Sequence, residues 1–268
     1  IDRIGLRVQA CRSLRILDSF NSDRRGAIVG LTRRFDERMS ASLAVRQETI
    51  EVDDLDANAP AIVFDAEGQT EIRGVEGSMR FVDLDSFLRP TSGFDLSASV
   101  GVYGGPFGAE ADFWETSLRG QAYVNLHRDA FNRPHVFYLS QAFRYGRAYN
   151  DDQDLFLTER YYIGGNNLRG FRQRGAGPKQ FDRPTGGEAR YLSRLEYQFP
   201  LISTRIGTSG RENEILRGVL FNDAALLGTR LDSDDFLEPR VTLGFGLRLF
   251  VPGLNVPIAL DFGWPVVF

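Results

Sequence analysis

GFDLSASVGVY, residues Gly93–Tyr103, alternates without a break. Phe94, Leu96, Ala98, Val100 and Val102 fall on one side, and Asp95, Ser97, Ser99 and Gly101 on the other. Side chains alternate sides along a β-strand, so this stretch has one apolar and one wet face. The same rhythm recurs. In Ser117–Leu126 the apolar set is Leu118, Ala122, Val124 and Leu126, opposite Arg119, Gln121, Tyr123 and Asn125. Val241–Phe250 and Asn255–Trp264 repeat it with Leu243, Phe245, Leu247 and with Ile258, Leu260, Phe262, Trp264. Weaker strands are expected at Ala27–Phe35, Met39–Ile50, Glu71–Val82, Val136–Tyr145, Tyr191–Phe199 and Ile215–Asp223. Polar, Gly- or Pro-containing breaks separate them. No long segment carries the i, i+3, i+4, i+7 pattern of a helix.

Composition narrows the classes. The 268 residues carry a net charge of −4, which gives no nucleic-acid signal. One cysteine, Cys11, cannot form an internal disulfide, and two histidines, His127 and His135, nearly exclude a Cys/His metal site. Phenylalanine is abundant at 21 residues, yet the mean hydropathy is −0.26. No run approaches the roughly 20 apolar residues of a membrane helix. No signal-peptide pattern opens the chain.

Two all-β architectures fit this pattern. A soluble sandwich buries its apolar face and shows the polar one to water. A transmembrane antiparallel β-barrel turns the apolar face to lipid and the polar one to a wet lumen, which averaged hydropathy hides. The polar sides here hold Arg, Gln, Ser, Asn, Gly and Tyr, as a lumen would. The strands reach about 10 residues, enough to cross a bilayer at a tilt. Aromatics such as Tyr103, Trp114, Phe199, Trp264 and Phe268 gather near strand ends, where the membrane meets water. The pattern favours the barrel.

One segment departs from the rhythm: YYIGGNNLRGFRQRGAGP, Tyr161–Pro178. It is too long and glycine-rich for a hairpin turn, with Gly164, Gly165, Gly170, Gly175 and Gly177. Arg169, Arg172 and Arg174 are costly in lipid and ordinary in water. A solvated loop tip is one reading. The other is a loop folded back into the lumen, where an arginine forks onto inward carboxylates. Alternation on the neighbouring strands points Arg194, Glu196 and Gln198 inward, and likewise Arg217, Val219, Phe221 and Asp223. Glu196 and Asp223 would then flank the loop, with Arg169 offsetting the cost of two enclosed acids. Alternatively, each acid pairs with an arginine of its own wall, such as Arg194 or Arg217.

RYYIGGNNLRGF, Arg160–Phe171, resembles the sixth-loop signature of the BamA/TamA-type outer-membrane assembly and translocation superfamily. That signature is aromatic–x–Gly–Gly, then (Val/Ile)-Arg-Gly-(Phe/Tyr). Arg169, Gly170 and Phe171 match, and Leu168 replaces the β-branched residue. Four further stretches resemble the family in the same order. They are FVDLDSFLRPTSGFDL, with Leu84 where Arg is usual; LSRLEYQFPL; VLFNDAAL, with Ala225 for Gly; and GFGLRLFVPGLNVPIALDFGWP. The match runs from about Gly26 to Pro265.

The resemblance implies that Arg169 bonds Glu196 and Asp223 inside a sixteen-stranded barrel preceded by periplasmic POTRA domains. This chain departs from it: about eleven or twelve strands are legible, no POTRA-like module is, and Ile1–Arg25 aligns poorly. Residues 1–268 are therefore expected to be an incomplete barrel, with residues 164–187 as the inward-folded loop. DFGWPVVF reads either as a terminal assembly signal or, as favoured here, as the family's next-to-last strand.

The function implied is insertion or translocation of β-barrel clients, BamA-like, through a weakly paired seam or lateral gate. No cofactor is needed. Expected partners are the lipid bilayer, unfolded outer-membrane protein clients, and accessory lipoproteins or periplasmic chaperones. The expected location is the outer membrane of a diderm bacterium, or alternatively of an organelle. Rival readings are an anion-favouring diffusion pore lined by Arg119, Arg144, Arg194 and Arg248, and a dedicated two-partner secretion translocator. An enzyme is not expected, because no G-x-S-x-G occurs and neither histidine lies near a nucleophile by motif.

Overall fold

The computed structural model describes residues 3–17, 19–150, 154–206, 211–251 and 257–267. Alternation has produced strands wherever it was strong. The chain forms β1 (Arg3–Ile16), β2 (Asn21–Arg34), β3 (Met39–Asp53), β4 (Gly68–Leu84), β5 (Gly93–Tyr103), β6 (Phe113–Arg128) and β7 (Pro134–Ala148). After a long excursion come β10 (Ala189–Ile206), β11 (Arg211–Gly228), β12 (Arg240–Leu249) and β13 (Ile258–Val267). The excursion itself contains two-residue strands, β8 (Lys179–Gln180) and β9 (Arg183–Pro184). Among the described residues, the eleven long strands make one sheet in sequence order, β1 to β7 and then β10 to β13. Every neighbouring pair is antiparallel.

Burial is inverted relative to a water-soluble domain. Leu6, Leu43, Leu96, Leu118, Leu220 and Leu260 are exposed, while Glu48, Glu196, Arg217 and Asp223 are buried. The apolar face of the sheet points outward and the charged face is enclosed, which is the distribution of a barrel wall in lipid. A sandwich would need a second sheet to bury those leucines. Among the described residues the only other sheet is the β8–β9 pair.

The strands differ from the sequence expectation mainly at their ends. The part of the chain before Gly26, which aligns poorly by sequence, holds β1 and the start of β2 at Asn21. The run NSDRRG at that start has no apolar face, so no alternation announces it. Several strands run to 14–18 residues, beyond the roughly 10 that the hydrocarbon requires. Asn255, which opens the last expected strand, and Phe268 lie outside the described residues. Pro265 sits opposite Thr242, beside a register shift, where a missing ladder donor is tolerated.

The two ends of the sheet are unlike. At one end the connections are the short turns 35–38, 85–92 and 129–133. At the other, beside the tight connection from Ile16 of β1 to Asn21 of β2, they are longer: residues 54–67 with the short helix α1 (Ala61–Asp65), residues 104–112, the excursion 149–188, and residues 229–239. Short turns on one rim and long loops on the other are what outer-membrane barrels show, with the long loops outside. Phe20, Ile50, Val52, Val63, Ile72, Tyr103 and Phe113 form an apolar cluster under the long-loop rim. Leu155 and Leu157 of the excursion are buried in it. No helix among the described residues is long and apolar enough to cross a membrane.

Candidate functional site

The excursion leaves β7 and returns to β10, yet those two strands pair directly from Ala189↔Tyr145 to Gln198↔Val136. The loop therefore costs the wall no hydrogen bonds and is free to fold elsewhere. It closes on itself where Tyr161 and Gly187 exchange backbone hydrogen bonds at 2.8 and 3.0 Å. Beyond Tyr161 it turns at Gly164 and Gly165, with φ of +119° and +64°. The Asn167 side chain locks that turn, accepting from the Gly164 N–H at 2.8 Å and donating to the Tyr162 carbonyl at 2.9 Å. The Gly165 N–H donates to the Phe171 carbonyl at 2.9 Å, so the tip from 165 to 171 is a closed bend.

That bend lies against the inner wall. Ile163, Leu168 and Ala176 are buried with Ala225 and Leu227 of β11, and Phe171 packs on the edge of this cluster. Gly175 stabilises the return by donating to the Arg172 carbonyl at 2.9 Å. Gly177 presses on a terminal methyl of Leu227, which would have to move to admit a Cβ. Gly170 touches the wall itself. A Cβ there would lie 2.9 Å from the Gly263 carbonyl oxygen and 3.0 Å from Thr242 Cγ2, and its φ is +84°. A glycine is required both for the turn and for the approach.

This seating delivers the Arg169 guanidinium into a set of carboxylates. Nε and Nη2 donate to the two oxygens of Asp223, each at 2.7 Å. Nη1 lies 2.9 Å from Glu196 Oε1 and 3.2 Å from Asp261 Oδ2. The guanidinium carbon stands 3.5 Å from the centroid of the Phe221 ring. Asp223 is 1 % exposed and Glu196 5 %. Burial would disfavour the Arg169 cation. The Asp223 hydrogen bonds and the charges of Asp223, Glu196 and Asp261 outweigh that and hold it above its ordinary pKa.

The wall contributes arginines too. Arg194 Nε is 3.3 Å from Asp223 Oδ1. Arg248 Nη1 donates to Asp261 Oδ1 at 2.6 Å, and its Nη2 lies 3.7 Å from Glu196 Oε1. Arg217, the other same-wall candidate, bonds Glu214 at 2.7 Å and Gln198 at 3.0 Å instead. Three acids and three arginines are thus interleaved, and each acid touches more than one cation.

The sequence-selected residues Arg169, Glu196 and Asp223 meet here, with Gly170 and Phe171 beside them. Two members were not expected in this network: Asp261 of β13, and Arg248 of β12, which the sequence marks only as a lumen-lining arginine. Alternation around Leu260 and Phe262 already turned Asp261 inward, so the facing signal existed. Missing was the knowledge that β13 lies within reach of the loop. His127 and His135 pair with each other on neighbouring strands. Their rings stack at 4.2 Å, and His135 Nδ1 hydrogen-bonds the Tyr197 hydroxyl at 2.7 Å. Among the described residues no group of His, Cys, Asp and Glu is placed to hold a metal.

Comparison with known proteins gives three results. Residues 3–267 match the family model described as the Omp85 superfamily domain. The chain is 30% identical over 186 residues to the outer membrane protein assembly factor BamA of Nitratidesulfovibrio vulgaris. That alignment takes in 67% of this chain and 22% of the relative, so the chain spans a minor part of that protein's length. The crystal structure of BamA from Haemophilus ducreyi lacking POTRA domains 1–3 superposes with a TM-score of 0.80 at 16% identity. It covers all of this chain and 56% of that structure, and at this identity it speaks to the fold.

Proposed function

The chain belongs to the Omp85 superfamily, and from that premise we propose that it is barrel wall and inward loop of an outer-membrane protein assembly factor. In this reading it inserts or translocates unfolded β-barrel clients, works without enzymatic chemistry, and sits in the outer membrane of a diderm bacterium. Accessory lipoproteins or periplasmic chaperones would be its partners. The observation that carries the reading is the loop-to-wall ion network: Arg169 held at 2.7 Å from Asp223 and 2.9 Å from Glu196.

The physical logic is as follows. A client strand must gain backbone partners before it leaves water, and a sheet edge supplies them by β-augmentation. The wall that offers the edge must hold its shape meanwhile. Arg169 ties three separate strands, β10, β11 and β13, to one loop residue, so it stiffens the wall across its hydrogen-bonding direction.

The anion-pore reading has less support. Two of its four lumen arginines, Arg194 and Arg248, spend their charge on Asp223 and Asp261. The test is complementation in cells depleted of the native protein. Arg169→Ala should lower the steady-state level of several unrelated outer-membrane barrels. Normal client levels from a folded Arg169→Ala protein, together with sharp anion selectivity in planar bilayers, would transfer the reading to the pore.

A further inference from the structure

The loop carries a second charged contact, on the β2–β3 side of the sheet. Glu159 ends a short 3-10 turn at Leu157–Glu159, and its side chain is only 8% exposed. Arg24 of β2 reaches it at 2.5 Å, and Arg46 of β3 at 3.1 Å. Arg46 also donates from Nη1 to the second Glu159 oxygen at 3.2 Å. Arg24 further donates to the Thr158 carbonyl at 3.3 Å. Glu48 of β3 completes the set, 3.1 Å from Arg24 and 2.7 Å from Arg46.

The wall is shaped for this contact. Glu48 lies across β2 toward Arg24, directly over Gly26, its register partner. A Cβ at Gly26 would overlap the Glu48 side chain, so glycine there opens the path. Arg46 rests 5.1 Å from the Tyr103 ring centroid. Burial would raise the Glu159 carboxyl, but Arg46 and Arg24 outweigh it and hold it below its ordinary value. The neighbouring Leu155 and Leu157 anchor the same segment in the apolar cluster under the rim.

Charge bookkeeping within the two contact sets gives the loop a direction. Without the loop, β2–β3 offers two arginines against one carboxylate. Without the loop, β10–β13 offers three carboxylates against two arginines. Glu159 supplies the missing negative charge to the first, and Arg169 the missing positive charge to the second. Reversing the loop would bring Glu159 to the acidic wall and Arg169 to the basic one, leaving both sets unbalanced and enclosed, which is expensive.

We infer that Glu159 is a second positioning residue of the inward loop, so that the segment Glu159–Arg169 is a charge-polarised strut with independent attachments on the β2–β3 and β10–β13 walls. The strut couples two wall sectors that, among the described residues, are not neighbours in the sheet. The inference does not depend on the assembly-factor reading, since it concerns only how the loop is seated.

Hydrogen exchange on the purified, membrane-reconstituted protein tests it. Removing one charged contact should speed exchange of the amides it protects about tenfold or more. Glu159→Gln should do this over residues 155–161 while residues 163–171 stay protected, and Arg169→Ala should do the reverse. Exchange unchanged by Glu159→Gln would overturn the inference. So would equal loosening of both segments by either substitution, which would mean a single attachment. Should Glu159→Gln fail to fold, Arg24→Gln is the deciding variant: it takes one of the two arginines from Glu159 and leaves Arg46 in place. Faster exchange over residues 155–161 with residues 163–171 still protected is expected, and unchanged exchange over residues 155–161 would overturn the proposal.

Discussion

Asp223 meets Arg169 edge to edge, its two oxygens each 2.7 Å from a different guanidinium nitrogen. The remaining outer nitrogen of Arg169 is thereby aimed at Glu196 and Asp261. A planar fork can serve three acids at once because its donors point in fixed directions. A lysine ammonium has three donors but no planar fork, so it cannot grip both oxygens of Asp223 in this edge-to-edge way and still reach the other two acids.

Arg169→Ala should therefore destabilise the barrel by about 3 kcal/mol or more, the usual cost of stripping one partner from a buried ion pair. Arg169→Lys should recover little of that loss. Heat-modifiable gel mobility, followed against temperature, measures both. A lysine variant that melts with wild type would show that charge alone suffices.

The three acids should not be equivalent. Asp223 and Asp261 each contact two arginines, but the Asp223 side chain is 1% exposed and that of Asp261 22%. Asp223→Asn is expected to cost the most, Glu196→Gln less, and Asp261→Asn least. Urea midpoints of the three variants would reveal the order, and a reversed order would mean that the Asp261–Arg248 pair is the main anchor.

Gly170→Ala should weaken the site without touching a charge. The added methyl would crowd the Gly263 carbonyl and Thr242 and would meet a backbone at φ +84°. The bend would have to back away from the wall and carry Arg169 with it. Protease sensitivity within residues 163–177 should rise toward that of Arg169→Ala. Wild-type resistance would show that the bend has slack.

Leu220→Arg tests the lipid face. Leu220 is 52% exposed on β11, between inward Val219 and Phe221. A charge near the bilayer midplane costs about 2–4 kcal/mol. Leu220→Ala should cost far less. Unfolding from lipid vesicles should separate the two, and equal tolerance of both would mean that this face meets water.

The β6–β7 turn offers a pH handle outside the membrane. Asp129 accepts from the Arg133 side chain at 2.7 Å and from the backbone N–H groups of Phe131 and Arg133 at 2.9 Å each. The Arg133 hydrogen bond foremost, then the backbone donors, lower its pKa to about 2. An unfolded aspartate titrates near about 3.9. The turn's contribution is thus complete above that value and disappears as pH falls through about 2. Asp129→Ala should unfold more readily than wild type at neutral pH, with the gap closing in acid. A gap independent of pH would detach the effect from the carboxylate.

Much of this molecule was legible one residue at a time. In Gly93–Tyr103 the expected and observed strand limits coincide, because period-two alternation between lipid and water leaves no choice of face. The inward direction of Glu196 and Asp223 followed from the same alternation. The start of β2 escaped notice because NSDRRG lies at the rim, where both faces meet polar surroundings and alternation carries no free energy.

Facing is a local property, fixed by the pleat and readable wherever two solvents differ. Depth and reach across a lumen are not. Whether the loop drops far enough for Arg169 to touch β13, or for Glu159 to find Arg24 and Arg46, depends on the curvature of a sheet assembled from distant segments. Nothing within the short runs around Glu159 or Asp261 encodes that distance. Those contacts came into being when the wall curved around the loop, where an enclosed charge must find its opposite or leave.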